Sequence, residues 1–562
     1  MNRQEILDYY RQNPKVSVLI IGAGVNGIGT FRDLALQGVD VLLVDKSDFC
    51  SGASAASSHM IHGGIRYLEN GEFRLVREAV QERNRLIENA PHYVKPLPTV
   101  IPIFNLFSGL LNAPLKFLGL LDRPSERGAI VIKIGLILYD FYTGKQKSVP
   151  THQFKSKSTT LKQFPSINPD LIYTAHYYDG AMQSPERICI DMVLDGEAAN
   201  SNAHAANYIE VERASGYSVE LKDQLSREKI TIQPNIVINA TGPWIDLSNS
   251  RMGTPTQFIG GTKGSHLILD NPELRNAIGE NEFFFENKDG RIVLIFPLYD
   301  KVLIGTSDLP IEDPDTARCT KEEIDYFIEM VKVIFPDIPV RPEQIIFQFS
   351  GVRPLPASDS TTPGQISRDH SIKIIPPEGG LEFPIYNLVG GKWTSFRALS
   401  EEVTDKTLET LNRTRKISTR NLPIGGGRDF PKTSSSHIEW INDQIIESKL
   451  STNRINELFD RYGTRAERII EYISSQPDQQ LLNLPNYSQR EVQFITMEEK
   501  VVHLDDYVLR RSMLGKMGLL SLNLIDEIVN IIGNELGWST ERRTEEIERT
   551  LNVLEERHDV HL

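Results

Sequence analysis

Short apolar runs alternate with glycine-rich turns in the first part of the chain. Val16–Ile21 is almost wholly apolar, as is typical of a strand buried on both faces, and it leads directly into Gly22–Gly27. A helix is predicted from about Asn26 to Gln37, and Val39–Val44 forms the next apolar strand. The pattern therefore predicts a βαβ unit near the N-terminus.

Two later strands also end in glycine turns. Ile230–Ala240 leads into Thr241-Gly242, and Ile385–Val389 leads into Gly390-Gly391-Lys392. Since the carboxyl ends of parallel strands share one edge of a sheet, we expect these distant segments to return to the edge at which the first strand ends.

The remaining pattern predicts two further layers. Alternating apolar and polar positions at Arg291–Pro297 and Lys301–Gly305 indicate antiparallel strands of a second sheet. Leu422–Gly427 has the composition of a linker. Beyond it, amphipathic patterns predict helices at Ala466–Ser474, Glu498–Leu514 and Leu524–Leu536.

Composition narrows the functional classes. The chain has 562 residues, and 61 Lys and Arg against 75 Asp and Glu give a net charge of −14. Binding to nucleic acid needs clustered basic residues, so this charge argues against it. The three cysteines lie far apart, which predicts neither a disulfide framework nor a thiolate metal site and favours a reducing compartment. No metal site is predicted.

Membrane insertion is not predicted either. Met1–Lys15 is polar and lacks the apolar segment of a secretory signal. The longest uncharged run, Pro96–Leu115, contains four prolines and is a poor candidate for a spanning helix.

The first glycine turn carries candidate chemistry. Gly22, Gly24 and Gly27 follow a strand and open a helix, and Asp45 ends the next strand 18 positions after Gly27. Such glycines let backbone N–H groups meet a pyrophosphate, and the carboxylate can accept hydrogen bonds from a ribose but disfavours a 2′-phosphate. FAD or NAD is therefore expected rather than NADP, and the late turns favour the longer cofactor.

A run of small residues follows this unit. Ser51–Ser58 is rich in Ser and Ala, and it is followed by His62, Arg66 and Tyr67. Small side chains let the backbone approach a flat ligand closely, so the run is interpreted as part of a binding site rather than a bare linker.

The chain closely resembles the FAD-dependent glycerol-3-phosphate dehydrogenases. The resemblance covers nearly the whole chain, and its most specific part is His62-Gly63-Gly64-Ile65-Arg66-Tyr67-Leu68 after the Ser-rich run. Further matching segments are Ile20–Glu88, Asn239–Trp244, Thr262–His266, Gly305–Asp308, Ser350–Leu355, Gly390–Lys392 and Asp505–Arg511. Two departures are His59, where the family usually has Lys, and Phe396, where Tyr is common.

The resemblance implies an α/β fold with an α+β second layer. An FAD-binding Rossmann-like domain would be interleaved with an antiparallel-sheet substrate domain and followed by a C-terminal helical domain. The expected boundaries are residues 1–75, 150–260 and 345–420 for the FAD-binding domain, 76–149 and 261–344 for the substrate-binding domain, and 428–562 for the helical domain.

The implied activity is oxidation of sn-glycerol 3-phosphate to dihydroxyacetone phosphate, with hydride transfer to FAD and electrons passed to a quinone. A glycerol-3-phosphate oxidase that uses O₂, or another FAD-dependent oxidoreductase of this fold, is the alternative. A flavin-binding protein without alcohol oxidation is disfavoured by the acidic charge and by the Arg and Lys residues of the matching motifs.

Candidate site residues follow from the motifs and the resemblance. Substrate binding is assigned to Arg66, Tyr67, Arg353, Arg368 and Lys392. The basic residues among them are expected to bind the phosphate, since arginine grips phosphate through two parallel N–H groups. The general base is His266 or His62, between which the sequence does not decide, and Arg353 and Lys392 complete the catalytic set. Cofactor binding is assigned to Gly22, Gly24, Gly27, Asp45, Ser57, Ser58, His62, Thr241, Gly242, Gly391, Lys392 and Thr394.

Quinone reduction implies contact with a membrane. We expect a cytoplasmic protein attached peripherally to the inner face of the cytoplasmic membrane, with the apolar segment Ile101–Leu121 as the contact and a homodimer as the expected assembly. Asp506 and Arg510 are interpreted as an ordinary i,i+4 pair on a helix.

Overall fold

The computed structural model describes residues 1–65, 72–106, 129–143, 149–287, 291–357 and 369–562. The strands are β1 Lys15–Ile21, β2 Val41–Val44, β3 Met60–Ile61, β4 Val94–Ile103, β5 Gln153–Ser156, β6 Tyr173–Met182, β7 Ala203–Ala206, β8 Ile209–Ser215, β9 Ser218–Asp223, β10 Lys229–Asn239, β11 Thr262–Leu269, β12 Glu282–Glu286, β13 Ile292–Leu298, β14 Lys301–Gly305, β15 Leu309–Pro310, β16 Ile345–Arg353, β17 Ser371–Ile375 and β18 Ile385–Val389.

Helices connect and cover these strands. They are α1 Arg3–Gln12, α2 Val25–Leu36, α3 Phe73–Asn89, α4 Ala129–Thr143, α5 Lys157–Gln163, α6 Pro185–Ala199, α7 Ile245–Arg251, α8 Pro272–Ile278, α9 Lys321–Ile334, α10 Phe396–Thr410, α11 Ser434–Ser448, α12 Thr452–Tyr462, α13 Ala466–Ser474, α14 Gln489–Glu498, α15 Leu504–Asp506, α16 Leu522–Leu536 and α17 Thr540–His558.

The first sheet has the strand order β17-β18-β10-β1-β2-β7. Its strands β18, β10, β1, β2 and β7 run parallel, and β17 pairs antiparallel with β18 at one edge. Helices α2, α6 and α10 cover one face, while α1 and the hairpin β8-β9 cover the other. The central strands are therefore buried on both faces, which explains their continuous apolar sequences.

The second sheet is mixed and mostly antiparallel, with the order β15-β11-β14-β13-β12-β4-β6-β3; β16 pairs with β11, and β5 pairs with β6. Helices α8 and α9 pack on it through one apolar cluster, and α3 and α4 pack on it through another. The mixed α/β fold with an antiparallel layer is as expected.

The C-terminal residues form helices that pack on the second sheet. Their largest apolar cluster includes Phe347 and Phe349 of β16 together with side chains of α12 to α17. The helical domain therefore contacts the strand that ends at Arg353. Helices were correctly predicted at Ala466–Ser474 and, within two residues, at Leu524–Leu536.

Two sequence predictions in this region are wrong. Glu498–Leu514 is not one helix: α14 ends at Glu498, Lys500 adopts a φ of 54°, and helical structure resumes only at residues 504–511, where α15 continues into a π-helical turn at Tyr507–Arg511. Leu422–Gly427 is not a free linker. Gly426 and Gly427 are buried, and a Cβ on Gly426 would lie 1.9 Å from the carbonyl oxygen of Tyr462.

The expected membrane segment is described only in part. Ile101–Ile103 ends β4, and the ring of Phe104 packs against the core of the second sheet, so these residues form no exposed patch. Residues 107–121 lie outside the described ranges. Among the helices that are described, none combines the length and apolarity required to cross a bilayer.

Candidate functional site

The glycine turn between β1 and α2 is tightly packed. Gly22 has a φ of 101°, and a Cβ on it would lie 2.7 Å from the carbonyl group of Ala240. A Cβ on Gly27 would lie 1.9 Å from the carbonyl oxygen of Gly22. The positions of these two glycines thus admit no side chain. Gly24 caps α2 without a side-chain hydrogen bond, so the helix presents backbone N–H groups at its start.

Asp45 lies beside this turn. Its carboxylate accepts hydrogen bonds from the backbone N–H of Ala23 at 2.6 Å and of Ser47 at 2.8 Å. Burial raises the pKa of Asp45 to about 6, against the lowering effect of these two hydrogen bonds. The carboxylate therefore fixes the glycine turn. It also lies at the end of β2, where a ribose is expected to bind.

The other two predicted strand ends converge on the same turn. Thr241 follows β10, and its Cα lies 2.8 Å from the position of a Cβ on Gly22. Gly391 has a φ of 102° and approaches the side chain of Asn26. β10 and β18 both run parallel to β1, so the three carboxyl ends lie at one edge, as expected.

The Ser/Ala-rich run packs between the two sheets. The hydroxyl of Ser54 accepts a hydrogen bond from the N–H of Val25 at 2.9 Å, and its carbonyl accepts one from the indole of Trp393 at 2.8 Å. Ser54 was not singled out from the sequence, because one serine in a run carries no distinguishing pattern. Ser57 lies next to Ser58, and the N–H of His59 donates to its hydroxyl at 3.4 Å.

Ser58, in the loop between β2 and β3, meets His266 of β11. A hydrogen bond of 2.8 Å joins Ser58 Oγ and His266 Nε2, and the imidazole stacks on the ring of Phe349 with centroids 4.9 Å apart and planes 12° apart. His266 Nδ1 is buried, without a hydrogen-bond partner among the described residues. Burial, then the charges of Arg353 and Lys516, lower the pKa of His266 to about 3, so this imidazole is neutral.

Arg353 ends β16, which pairs directly with β11, the strand that carries His266. Its guanidinium donates to Thr306 Oγ1 at 2.8 Å and to the carbonyl of Ser307 at 3.1 Å, and it pairs with Asp308 at 3.0 Å. It lies directly over Gly264, where a Cβ would be 2.3 Å from Arg353 Nη2. The guanidinium is therefore held in one orientation beside the strand that carries His266.

The predicted His62 directly follows β3. Its carbonyl accepts a hydrogen bond from Thr394 Oγ1 at 3.1 Å, which joins two of the predicted cofactor-binding residues. The next residue, Gly63, donates its N–H to Asp179 Oδ1 and to Tyr139 Oη, both at 3.0 Å. The His62 backbone is thereby anchored from both sides.

The anchor of Gly63 was missed by the sequence analysis. Asp179 also pairs with Arg83 at 3.0 Å and accepts a hydrogen bond from Tyr139, and all three side chains are buried. These residues come from β6, α3 and α4, and nothing in their local sequence indicates that they meet.

The remaining predicted residues divide into two groups. Gly242 has a φ of 60° in the turn after β10, and Lys392 and Thr394 lie in the turn after β18. Arg66, Tyr67 and Arg368 lie outside the described residues, so their assignment to the phosphate stays a prediction.

The C-terminal motif has a larger role than an i,i+4 pair. Arg510 does pair with Asp506 at 2.6 Å, but it also bonds Asp48 at 2.5 Å, and Arg511 bonds the same carboxylate at 2.9 Å. Asp48 lies just after β2, and these groups are buried. Although burial alone would raise it, Arg511 and Arg510 hold the pKa of Asp48 well below its usual value. The motif therefore ties the helical domain to the first sheet.

Among the described residues, three side chains of the kind that ligate metal ions lie close together in this region. The ligand atoms of His503, Asp505 and Glu546 are within 4.8 Å of one another. Both carboxylates already pair with arginine, Glu546 with Arg542 at 2.5 Å and Asp505 with Arg549 at 2.8 Å. The arginines neutralise the carboxylates, so the group is an ion-pair network rather than a cation site.

The first-sheet edge fits the expected FAD. The start of α2 offers N–H groups to a pyrophosphate, and the packing at Gly22 and Gly27 leaves only glycine able to form this turn. The carboxylate of Asp45 and the turns at Thr241 and Gly391 lie around this glycine turn.

Comparisons with known proteins agree with this geometry. Residues 17–372 match the family described as "FAD dependent oxidoreductase", and residues 417–543 match "C-terminal domain of alpha-glycerophosphate oxidase". A glycerol-3-phosphate dehydrogenase of Synechocystis is 31% identical over 97% of both chains. The aerobic glycerol-3-phosphate dehydrogenase of Bacillus subtilis is 27% identical over 96% of this chain and 94% of its own.

A solved structure has the same fold. The glycerol-3-phosphate dehydrogenase of Bacillus halodurans, complexed with FAD, superposes with a TM-score of 0.73 at 21% identity, covering 98% of this chain and 97% of its own. Since the FAD dependent oxidoreductase match covers more than half of the chain and the Synechocystis relative nearly all of it, the chain belongs to the FAD-dependent glycerol-3-phosphate dehydrogenase family.

Proposed function

We propose that the protein oxidises sn-glycerol 3-phosphate to dihydroxyacetone phosphate with FAD and passes the electrons to a quinone. The observation that carries this proposal is a neutral, buried imidazole, His266, next to the oriented guanidinium of Arg353. Oxidation of a secondary alcohol needs a group that accepts the hydroxyl proton, and a phosphomonoester needs a cation. The names of the relatives supply the same substrate.

Arg353 and Lys392 would bind the substrate phosphate. The bonds of Arg353 to Thr306 and Ser307 orient the guanidinium before substrate arrives, which lowers the entropy lost on binding. Asp308 now pairs with it, so a phosphate dianion would share or replace this carboxylate. Arg66 and Arg368 are the further candidates for this role.

His266 would accept the hydroxyl proton, with His62 as the alternative base. An imidazole whose pKa is about 3 is a weak base in the absence of substrate. Arg353 is one cause of that low pKa, and a phosphate dianion bound to Arg353 would compensate its charge. Binding of the correct substrate would therefore make His266 a stronger base, whereas unphosphorylated glycerol would not.

Gly22, Gly24, Gly27, Asp45, Thr241 and Gly391 would hold the cofactor, with Ser57, Ser58, His62 and Thr394 nearer the second sheet. When bound, FAD supplies the acceptor for the hydride from the substrate carbon. The chain itself binds the phosphate, accepts the proton and keeps His266 away from bulk water.

A quinone acceptor places the protein on a membrane, and α4 offers a surface for this contact. Ile134, Ile137 and Phe141 are 55%, 52% and 78% exposed, and their spacing puts them on one face of the helix. Each CH₂ buried in lipid would contribute about 0.8 kcal/mol. With a net charge of −14, the attachment should be mostly hydrophobic and should survive high salt. The expected location at the inner face of the cytoplasmic membrane and the homodimer belong to this proposal.

The membrane contact is tested by cosedimentation with liposomes. Replacing Ile134, Ile137 and Phe141 by Ser together should release the protein, whereas replacing the exposed Ile438 and Ile446 of α11 by Ser should leave binding unchanged. Equal binding of both variants would remove α4 as the contact.

The activity is tested by supplying glycerol 3-phosphate and a soluble quinone analogue and measuring dihydroxyacetone phosphate. We expect product with the quinone analogue in the absence of oxygen. Hydrogen peroxide formed at a comparable rate in air would favour the oxidase instead, and no product with any acceptor would refute the proposed function.

A further inference from the structure

Lys516 is a buried lysine that the helical domain inserts between the two sheets. It is only 4% exposed, and its ammonium pairs with the buried carboxylate of Glu186 at 2.5 Å. It also contacts the carbonyl of Ala55, in the Ser/Ala-rich run, at 3.4 Å. An ammonium removed from water is costly, so its position calls for a physical reason beyond chain packing.

The surroundings of Lys516 connect it to the proposed base. Its ammonium lies 5.6 Å from the centroid of Phe349, the ring on which His266 stacks. On the same strand, Phe347 stacks with His558 of α17 at 4.2 Å. The helical domain thus contacts β16 at two successive inward-facing rings, just before Arg353.

The backbone around Lys516 is fixed. The N–H of Gly515 donates to the carbonyl of Val508 at 3.0 Å, and Gly518, with a φ of 66°, packs against Ile346. The lysine therefore projects from an ordered turn rather than from a mobile tail.

The imidazole of His59 lies near the same ring, with its centroid 6.4 Å from that of Phe349. The cation beside Phe349 comes from the helical domain, through Lys516.

We propose that Lys516 is a positioning residue of the active site, which holds the Phe349 ring and the Ala55 carbonyl in place and puts a positive charge near the ring on which His266 stacks. This inference rests on the proposed function of His266. It assigns to the helical domain a direct part in the reaction, acting through His266 and Phe349 rather than on the substrate.

Electrostatics support the assignment. The groups that face His266 are Arg353 at the end of β16, Lys516 from the helical domain, His59 and Ser58. After burial, the two cations are the causes that lower the pKa of His266. Glu186 pairs with Lys516 and offsets part of its charge.

The test replaces both members of the buried pair, since removing the lysine alone would leave the Glu186 carboxylate uncompensated. The double variant Lys516→Met/Glu186→Gln is compared with Lys516→Arg, which keeps the charge. The ¹³Cε1 resonance of His266 in the holoenzyme, assigned with His266→Asn, is followed from neutral pH down to about pH 4, and the protonated fraction of His266 at the lowest pH is compared between the variants. At a separation on the order of 10 Å and an effective dielectric constant of about 20, loss of the Lys516 charge alone would let His266 protonate at a roughly tenfold lower proton concentration. Because the double variant also removes the opposite charge of Glu186, its shift should have the same direction and be smaller than this.

A second readout is the acidic limb of the rate of flavin reduction by glycerol 3-phosphate. In the double variant this limb should move to higher pH. In Lys516→Arg it should lie close to its wild-type position. The titration of His266 requires no turnover, so a wild-type protein that fails to oxidise glycerol 3-phosphate would refute the proposed function without deciding the role of Lys516.

The chain offers a matched control. Lys500 also comes from the C-terminal part and pairs with a glutamate of α6, Glu197, at 2.9 Å. The variant Lys500→Met/Glu197→Gln should leave the His266 titration unchanged. If the Lys516 double variant also leaves it unchanged, or if both double variants shift it equally, Lys516 is a structural residue and the inference is wrong.

Discussion

Replacement of Gly27 by Ala separates cofactor binding from folding. The added Cβ would lie 1.9 Å from the carbonyl oxygen of Gly22 and 3.2 Å from the Cβ of Ala240. Because the first of these neighbours is backbone, either the start of α2 or the turn at Gly22 must move by at least about 1 Å. The N–H groups that face the expected pyrophosphate would move with it.

The magnitude follows from these contacts. Overpacking of this kind costs about 1–3 kcal/mol, less than the usual stability of a domain, so the protein should still fold. Loss of two hydrogen bonds to a charged pyrophosphate would cost about 3–6 kcal/mol, which weakens FAD binding by a factor of roughly 10² to 10⁴. Gly27→Ala should therefore be purified folded and nearly colourless.

The control is Gly135→Ala in α4, which packs on the second sheet. There a Cβ meets only the side chain of Ile65, at 3.7 Å, which is an ordinary van der Waals contact. We expect this variant to bind FAD as tightly as the wild-type protein does. The ratio of visible flavin absorbance to protein absorbance, with the far-UV circular dichroism of each variant, measures both effects. A folded Gly27→Ala that retains one FAD per chain would refute the placement of the cofactor at this turn.

Three further predictions concern other parts of the site. Arg353→Ala should weaken the use of glycerol 3-phosphate by a factor on the order of tens to thousands and the use of glycerol far less, as steady-state kinetics would show; an equal loss for both would indicate a folding defect. Asp48→Asn should lower the free energy of unfolding by about 3–5 kcal/mol, because Arg511 loses its buried anion. Since the pKa of Asp48 is lowered in the folded protein, its stabilising effect is complete above about pH 4 and is lost as the pH falls further, so denaturation midpoints of wild type and variant should converge in acid and not at neutral pH. Gly63→Ala would place a Cβ 2.2 Å from the hydroxyl of Tyr139 and should lower both the thermal midpoint and the rate of flavin reduction. An unchanged rate would show that the contacts of Gly63 with Tyr139 and Asp179 are not needed for catalysis.

The first sheet could be predicted from the sequence because its signals are local. Strands buried on both faces are apolar throughout, and their ends carry glycines wherever backbone approaches backbone. Val16–Ile21 and Ile385–Val389 agree with the structure to within one residue at either end. The convergence of their ends follows from parallel pairing, which the sequence also indicated.

Contacts between distant elements were not predictable in this way. The apolar pattern of Glu498–Leu514 is typical of a helix, but Glu499 pairs with the buried Arg187 of α6, and the chain leaves the helix there. Tertiary ion pairing thus overrides the local pattern. Lys516 is similar, since no motif surrounds it and only the packing of the helical domain on β16 brings it to Phe349.

Anaerobic mixing of the purified holoenzyme with glycerol 3-phosphate tests the central claim most directly. The account predicts that one equivalent of substrate bleaches the visible flavin absorbance and that glycerol at the same concentration does not. It also predicts that flavin reduction is much slower in His266→Asn than in the wild-type protein. A flavin that stays oxidised in the wild-type protein, or that glycerol reduces equally well, would contradict the assignment of this site to glycerol 3-phosphate oxidation.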